Sequence, residues 1–286
     1  MSARQAYPGA RVVGQTNSEA SHERLRAAGV EPRTKAAAAG GGRFSNVIFC
    51  APPSGSTDYA AEARAADTVL CSTRATLIVS TCLPAGGKRP RCAQVAAAGA
   101  LWDGTGAFVF TSSSAVYADS DGAACDESTP ALPLGASPRA DALLRAEGAA
   151  HAARGTVLRL AGLYTARRGA HTYFMRMPEV PSRGDGYLNL LHYADAASAA
   201  VAALRAGAAA HGATFVACDG VPTTREAMMR AALATGLFPD GAMPRWTGAS
   251  DAPRGRRMDC PATRAALNWA PRYKSFEAFC ADGCKE

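Results

Sequence analysis

The chain has 286 residues, 48% of them apolar, and carries 31 Lys plus Arg against 24 Asp plus Glu for a formal net charge of +7. That apolar content supports a large buried core, as one α/β domain or two small interleaved ones, and excludes disorder as the main state. The basic residues are scattered and nearly all arginine, with no basic stripe interleaved with aromatics, so the charge marks no nucleic-acid interface.

In chain order, Gly9 to Gly14 reads as a short buried strand, and Thr16-Asn17-Ser18-Glu19 offers a capping box for a helix ending at Gly29. A second strand, Asn46 to Ala51, stops at Pro52-Pro53-Ser54-Gly55, and a helix follows from about Asp58 to Ala66. The next strand runs from Gly106 to Ser112 and ends in a serine cluster. Thr156 to Leu160 and Ala213 to Cys218 are further strands, each preceded by a helix rich in Ala and Leu. Apolar strands separated by helices predict a doubly wound parallel sheet covered on both faces. Ligands of such sheets sit beyond the carboxyl ends of the strands, so the loops after Gly14, Ala51, Phe110 and Leu160 should converge on one crevice.

Two features depart from a complete fold of this kind. A dinucleotide-binding sheet opens with a strand, a glycine-rich turn and a helix whose N-terminus holds a pyrophosphate, and none of these precedes the first strand here. Gly40-Gly41-Gly42 lies before a strand, not after one, and reads as a connecting loop. The expectation is a sheet lacking its first strand, an N-terminally truncated form with weak pyrophosphate affinity. The second departure is Asp67 to Val95: without it, the helix ending near Ala66 would continue into Ala96 to Trp102. The segment is expected to be an insertion lying outside the sheet, although Ala75 to Ser80 has good β character. The expected division is residues 1–165 for the dinucleotide-binding part and 166–286 for the remaining strands interleaved with a small C-terminal substrate lobe.

Nine cysteines, an odd count with no C-x-x-C pair, fit reduced thiols in an intracellular protein. Cys280 and Cys284 have no second Cys/His pair near them in sequence to complete a four-ligand site, so no metal is expected and these residues read as a frayed tail. No apolar run approaches the roughly 18 residues of a membrane span. A soluble protein of the cytoplasm or an organellar stroma is expected; Glu19, Glu23 and Glu31 argue against a transit peptide.

The segment Phe108-Val-Phe-Thr-Ser-Ser-Ser-Ala-Val-Tyr117, followed by Asp126-Glu127-Ser-Thr-Pro130, resembles the strand-end serine motif and the acidic-Pro element of extended short-chain dehydrogenases/reductases, the NAD-dependent epimerase/dehydratase branch. Leu158 to Tyr164, Asn189 to Asp195, Ala213 to Gly220 and Ala266 to Pro271 are similar to later motifs of that family, in family order. The resemblance covers nearly all of the chain apart from 67–95. It looks nearest to the atypical group with a short substrate lobe.

The resemblance implies a Rossmann fold, a bound NADP or NAD, and hydride transfer with a tyrosine handling the matching proton, a lysine tuning that tyrosine, and a serine holding the reacting oxygen. Ser113 falls at the serine position; the tyrosine and lysine positions fall at Arg139 and Leu143. Arg139 does not exchange protons near neutral pH, and Leu143 carries no charge, so the catalytic set reduces to Ser113 and Arg139 with altered chemistry. The cofactor-binding set is Thr16, Asn17, Ala51, Pro52, Thr111, Ser112, Leu160 and Ala161. No acid stands in Gln15-Thr16-Asn17-Ser18 to repel a 2′-phosphate, which tilts the choice toward NADP. His192 and Asp195 read as structural, with Asp195 capping the helix through Leu204. The expected partner is a small-molecule substrate, a sugar nucleotide or similar carbonyl/hydroxyl compound, with no nucleic acid and no membrane; homodimer formation stays open. The alternatives are a non-catalytic dinucleotide or metabolite binder and an incomplete gene product of such an enzyme.

Overall fold

The computed structural model describes residues 11–16, 19–34, 43–50, 77–81 and 91–286. Seven strands form one sheet: β1 (Val12–Thr16), β2 (Glu31–Thr34), β3 (Asn46–Cys50), β4 (Leu77–Thr81), β5 (Phe108–Ser113), β7 (Thr156–Leu160) and β12 (Thr214–Ala217), in the spatial order β12-β7-β5-β3-β4-β1-β2. β1 is parallel to β2 and β4, and β3 is parallel to β4 and β5. Val157 N donates to Ala213 O at 2.9 Å and Ala161 N to Ala217 O at 3.0 Å, the constant offset of another parallel pair. The five strands expected near Arg11, Asn46, Ala107, Thr156 and Ala213 thus share one doubly wound parallel sheet.

The reading of 67–95 as an insertion outside the sheet is overturned. Leu77–Thr81 lies between β1 and β3 and pairs with both, Val79 standing opposite Gly14 on one side and Ile48 on the other. In the dinucleotide-binding strand order 3-2-1-4-5-6, β4 occupies the place of the first strand. The reason is backbone hydrogen bonding: a gap between β1 and β3 would leave two rows of interior N–H and C=O groups unpaired. A β-branched, apolar segment from later in the chain closes the gap. The expected helix near 58–66 and the Gly40–Gly42 loop lie outside the described residues.

The first helix also differs from expectation. A 3-10 turn, Glu19–Ser21, leads into α1 (His22–Ala27), whose N-cap Ser21 makes no side-chain capping bond. Thr16 Oγ1 instead meets His22 Nε2 at 2.9 Å. The helix does end at Gly29, which takes φ +73° while Val30 N returns to Leu25 O at 2.8 Å; a left-handed residue there suits glycine.

The chain divides into two compact units: one of Met1–Val116, Leu132–Arg159 and Ala197–Phe215, the other of Tyr117–Ala131, Leu160–Ala196 and Val216–Glu286. In the first, Val47, Phe49, Phe108, Phe110 and Val157 from the sheet pack with Val95 and Ala98 of α2 (Arg91–Gly99) and with Trp102. Burying each large apolar side chain contributes about 1.5–3 kcal/mol. α3 (Pro138–Ala152) starts because Ser137 accepts Ala140 N and Pro138 takes the first helical position. Its Ala140, Leu143, Ala146, Glu147 and Ala150 form the buried stripe.

In the second unit, α5 (Tyr193–Ala206) follows the short strand β11 (Leu190–His192), which is parallel to β8 (Gly162–Tyr164). β6 (Asp121–Cys125) is parallel to β15 (Gly255–Met258), β9 (Glu179–Val180) is parallel to β14 (Arg245–Trp246), and β10 (Tyr187–Leu188) is antiparallel to β13 (Thr223–Thr224). Tyr164, Leu190 and Val180 share a core with Phe174 of α4 (Ala170–Phe174), Met228 and Met229 of α6 (Arg225–Ala234), and Phe276, Phe279 and Cys280 of α8 (Phe276–Ala281). Cys280 is buried there with Cys284 packed against the cluster, so this segment is not a frayed tail. Ser275 caps α8 by accepting Ala278 N at 3.1 Å. No helix among the described residues is long and apolar enough to cross a membrane.

Candidate functional site

Because β1, β3, β4 and β5 are parallel, their carboxyl ends lie along one edge of the sheet. Thr16 and the serine cluster of β5 therefore stand on the edge where the sequence placed them. Asn17, Ala51 and Pro52 lie outside the described residues.

The three residues ending β5 have separate duties. Thr111 is buried and donates to Phe49 O at 3.4 Å, a tie within the sheet. Ser112, also buried, donates to Glu147 Oε1 at 2.5 Å. Glu147 in turn receives Arg159 of β7, Nε to Oε1 at 3.1 Å and Nη2 to Oε2 at 2.8 Å. A two-point guanidinium–carboxylate pair with a hydroxyl on the same carboxylate satisfies a charge that burial would otherwise penalise heavily. Ser112 is thus spent on joining β5, α3 and β7, and Ser113 follows it as the last residue of β5. Ser113 is half-buried and its Oγ accepts Ala115 N at 3.2 Å. A hydroxyl that accepts there still has its own proton to donate.

Arg139 sits exposed on the first turn of α3, with no hydrogen bond or ion pair among the described residues. Leu143, one turn on, is 4% exposed and faces the core. Neither position can host proton transfer as the chain stands: one carries a permanent cation in water, the other an alkyl group among apolar neighbours.

At the β1 end, Gln15 is buried and accepts Arg33 Nε at 3.1 Å and Nη2 at 2.8 Å. Thr16 Oγ1, half-buried, also reaches Arg33 O at 3.4 Å. A cation therefore lies beside the residue type that the strand end uses in place of an acid. At the end of β3, burial pushes the Cys50 thiol up, with a Thr111 hydrogen bond opposing, so it stays protonated and unreactive.

In the second unit, Leu160 is half-buried and Ala161 buried, and their backbone continues into Gly162, whose N–H goes to Asn189 O at 2.9 Å. These are backbone positions with no side-chain chemistry of their own. Tyr164 is 1% exposed, its hydroxyl without a hydrogen-bond partner among the described residues, and burial pushes its pKa well up; it is a core residue and no proton donor near neutrality. His192 makes a hydrogen bond within the fold, as expected, and Asp195 accepts bonds from the C-terminal segment. α5 begins at Tyr193, and His192 Nδ1 accepts Ala194 N at 3.2 Å, so the histidine ties down the helix start. Asp195 accepts Arg272 N at 2.8 Å and Tyr273 N at 3.0 Å, fastening the C-terminal segment.

The Glu147–Arg159 pair and a Cys218–Asp259–Cys260 cluster, whose ligand atoms lie within 4.8 Å of one another, were not read from the sequence. The pair had a signal: Glu147 falls on the apolar stripe of α3 and Arg159 interrupts the apolar run of β7, and one charge at a core position in each of two elements calls for the other. The cluster had none, because Cys218 lies 42 residues before Cys260 in sequence.

No protein-family model matches the chain, and no curated protein sequence matches it. Solved structures do. A functionally unknown conserved protein from Silicibacter pomeroyi DSS matches with TM-score 0.63 at 21% identity, over 96% of this chain and 91% of that one. The UDP-glucuronic acid 4-epimerase from Bacillus cereus, in complex with NAD, matches with TM-score 0.59 at 13% identity over 94% and 96%. A human epimerase family protein with NADPH matches with TM-score 0.54 at 14% identity, over 83% of this chain and 99% of that one. These likenesses establish the Rossmann fold of this chain.

Proposed function

We propose that the chain is an NAD(P)-binding protein of the epimerase/dehydratase type that has kept an oxygen-orienting serine and lost its proton-transfer pair. It takes a small carbonyl or hydroxyl compound, a sugar nucleotide being the class suggested by the NAD-bound 4-epimerase that shares its fold. The observation that carries this reading is the contrast on one strand end and one helix. Ser113 stands at the sheet edge with a proton to donate, whereas Arg139 is solvated and Leu143 is in the core. Ser113 and Arg139 are the site residues; Thr16, Asn17, Ala51, Pro52, Thr111, Ser112, Leu160 and Ala161 border the dinucleotide.

β4 stands at the position from which this fold presents its phosphate-binding turn, and the sequence after it contains Gly86-Gly87-Lys88-Arg89. Those residue types suit a pyrophosphate. The Arg33–Gln15 pair beside Thr16 favours NADP, since a guanidinium attracts a 2′-phosphate that an acid would repel. When bound, the dinucleotide supplies or accepts hydride; the chain's own part is to orient the substrate oxygen through Ser113 and to exclude water.

Calorimetry with NADPH and NADH tests the reading, followed by turnover with a panel of keto-sugar nucleotides and simple carbonyls. Binding of NADPH, tighter than NADH, with slow turnover or none, is the expected result. Absence of binding to either cofactor up to millimolar concentration overturns it.

A further inference from the structure

We propose that Cys218, Asp259 and Cys260 form a binding site for a zinc-like divalent cation. The ligand atoms of the three lie within 4.8 Å of one another, and both cysteines are fully buried while Asp259 is exposed. Two thiolates and a carboxylate suit zinc, whose bonds to sulfur are about 2.3 Å and whose geometry is tetrahedral, with water able to supply the fourth ligand.

Both ligand-bearing segments are held in place independently of any ion. Cys218 directly follows β12, where Val216 N donates to Thr263 Oγ1 at 3.0 Å. Cys260 precedes α7 (Pro261–Leu267), and its Sγ donates to Cys218 O at 3.4 Å. Asp259 N donates to Cys125 O at 3.0 Å, and Thr263 N to Glu127 Oε1 at 2.7 Å. The turn after Cys218 is tight because Gly220 takes φ +79°, where a Cβ would stand 2.8 Å from Asp259 Oδ1. A scaffold fixed this way meets the ion with little ordering cost.

The charges also balance. Arg264 Nη1 lies 3.3 Å from Asp259 Oδ1, which also accepts Cys260 N at 2.8 Å, so the other carboxylate oxygen is left for the cation. Two thiolates and one carboxylate against one guanidinium and a divalent ion leave no net charge. Binding releases the two thiol protons to solvent. The second cysteine pair, Cys280 and Cys284, has no third ligand from His, Cys, Asp or Glu among the described residues and serves as the control.

The test is titration of the reduced, full-length chain with Co2+ as the spectroscopic probe, followed by displacement with Zn2+. One equivalent of Co2+ should give thiolate charge-transfer and tetrahedral d–d absorption, abolished by Zn2+. Cys260→Ser should remove the charge-transfer band, and Cys280→Ser should leave it unchanged. Asp259→Asn, at an exposed position that does not endanger folding, should weaken Co2+ binding at least tenfold, which keeps the test decisive if a cysteine variant fails to fold. Cobalt absorption without thiolate character, unaltered binding in Asp259→Asn, or no Co2+ binding by the fully reduced chain would each overturn the proposal.

Discussion

Ser112 on β5 donates its hydroxyl to Glu147 on α3 at 2.5 Å, and that bond commits Ser112 to the core. Ser112 and Arg159 both bond Glu147, and β5 ends one residue later at the half-buried Ser113.

Glu147→Ala should therefore cost about 3–5 kcal/mol, the usual penalty for leaving a buried partner charge unpaired. Ser112→Ala should cost less, about 1.5–3 kcal/mol, as a hydrogen bond to a charged group. Replacing both charges with apolar residues, Glu147→Leu with Arg159→Met, should recover most of the Glu147→Ala loss. Urea denaturation followed by circular dichroism measures all three; a Glu147→Ala variant as stable as the parent would remove the pair from the core's energetics.

Removal of 67–95 should prevent folding, because it deletes a strand that is hydrogen-bonded along both edges. Val79→Pro should act in the same direction, since proline withdraws a ladder donor from a central strand. Limited proteolysis and far-UV dichroism decide the matter: a deletion variant with an unchanged, cooperative urea transition would show that β4 does not hold the sheet together.

Stability should fall on mild acidification. Desolvation holds His151, His171 and His192 below the ordinary imidazole value, with Glu147 opposing at His151, the Ala166 carbonyl at His171 and Glu286 at His192. Their folded values lie under their unfolded ones, so the unfolded chain binds more protons below about pH 6.5. Their contribution is complete above that pH and is lost as pH falls toward the folded values. His171 packs 5.0 Å from Phe276 and 5.7 Å from Phe238, so His171→Phe should flatten the decline in urea midpoint between pH 7.5 and 5.5. An identical pH slope in the variant would place the acid sensitivity elsewhere.

Ser113→Ala should change the unfolding free energy by no more than about 0.5–1.5 kcal/mol, as loss of one neutral hydrogen bond does. Any turnover should drop about tenfold to a thousandfold through loss of a transition-state hydrogen bond. Turnover indifferent to Ser113→Ala would dismiss this serine from the site.

Restoring a tyrosine and a lysine as Arg139→Tyr with Leu143→Lys should destabilise the chain and not revive it. Leu143 faces the core, and an unpaired ammonium there costs several kcal/mol. Thermal melts and the same substrate panel check this; a stable double variant with raised turnover would show that the helix can turn that face to the site.

The sequence alone determined five of the seven strands of the sheet. Apolar runs such as Asn46–Cys50 and Thr156–Leu160 can satisfy their backbone and hide both faces only as interior parallel strands, and the serine run after Phe110 had to end one of them. Local chemistry also fixed Gly29 as a helix stop. What filled the place between β1 and β3 was decided by tertiary structure. Leu77–Thr81 has the same local preference as any other β segment, and only the two unpaired edges give it an address. Tertiary structure likewise divided the serines, because Ser112 and Ser113 are chemically identical and differ only in which one meets Glu147. It also assembled Cys218 with Asp259 and Cys260, since side-chain convergence between segments remote in sequence depends on packing and has no local pattern to announce it.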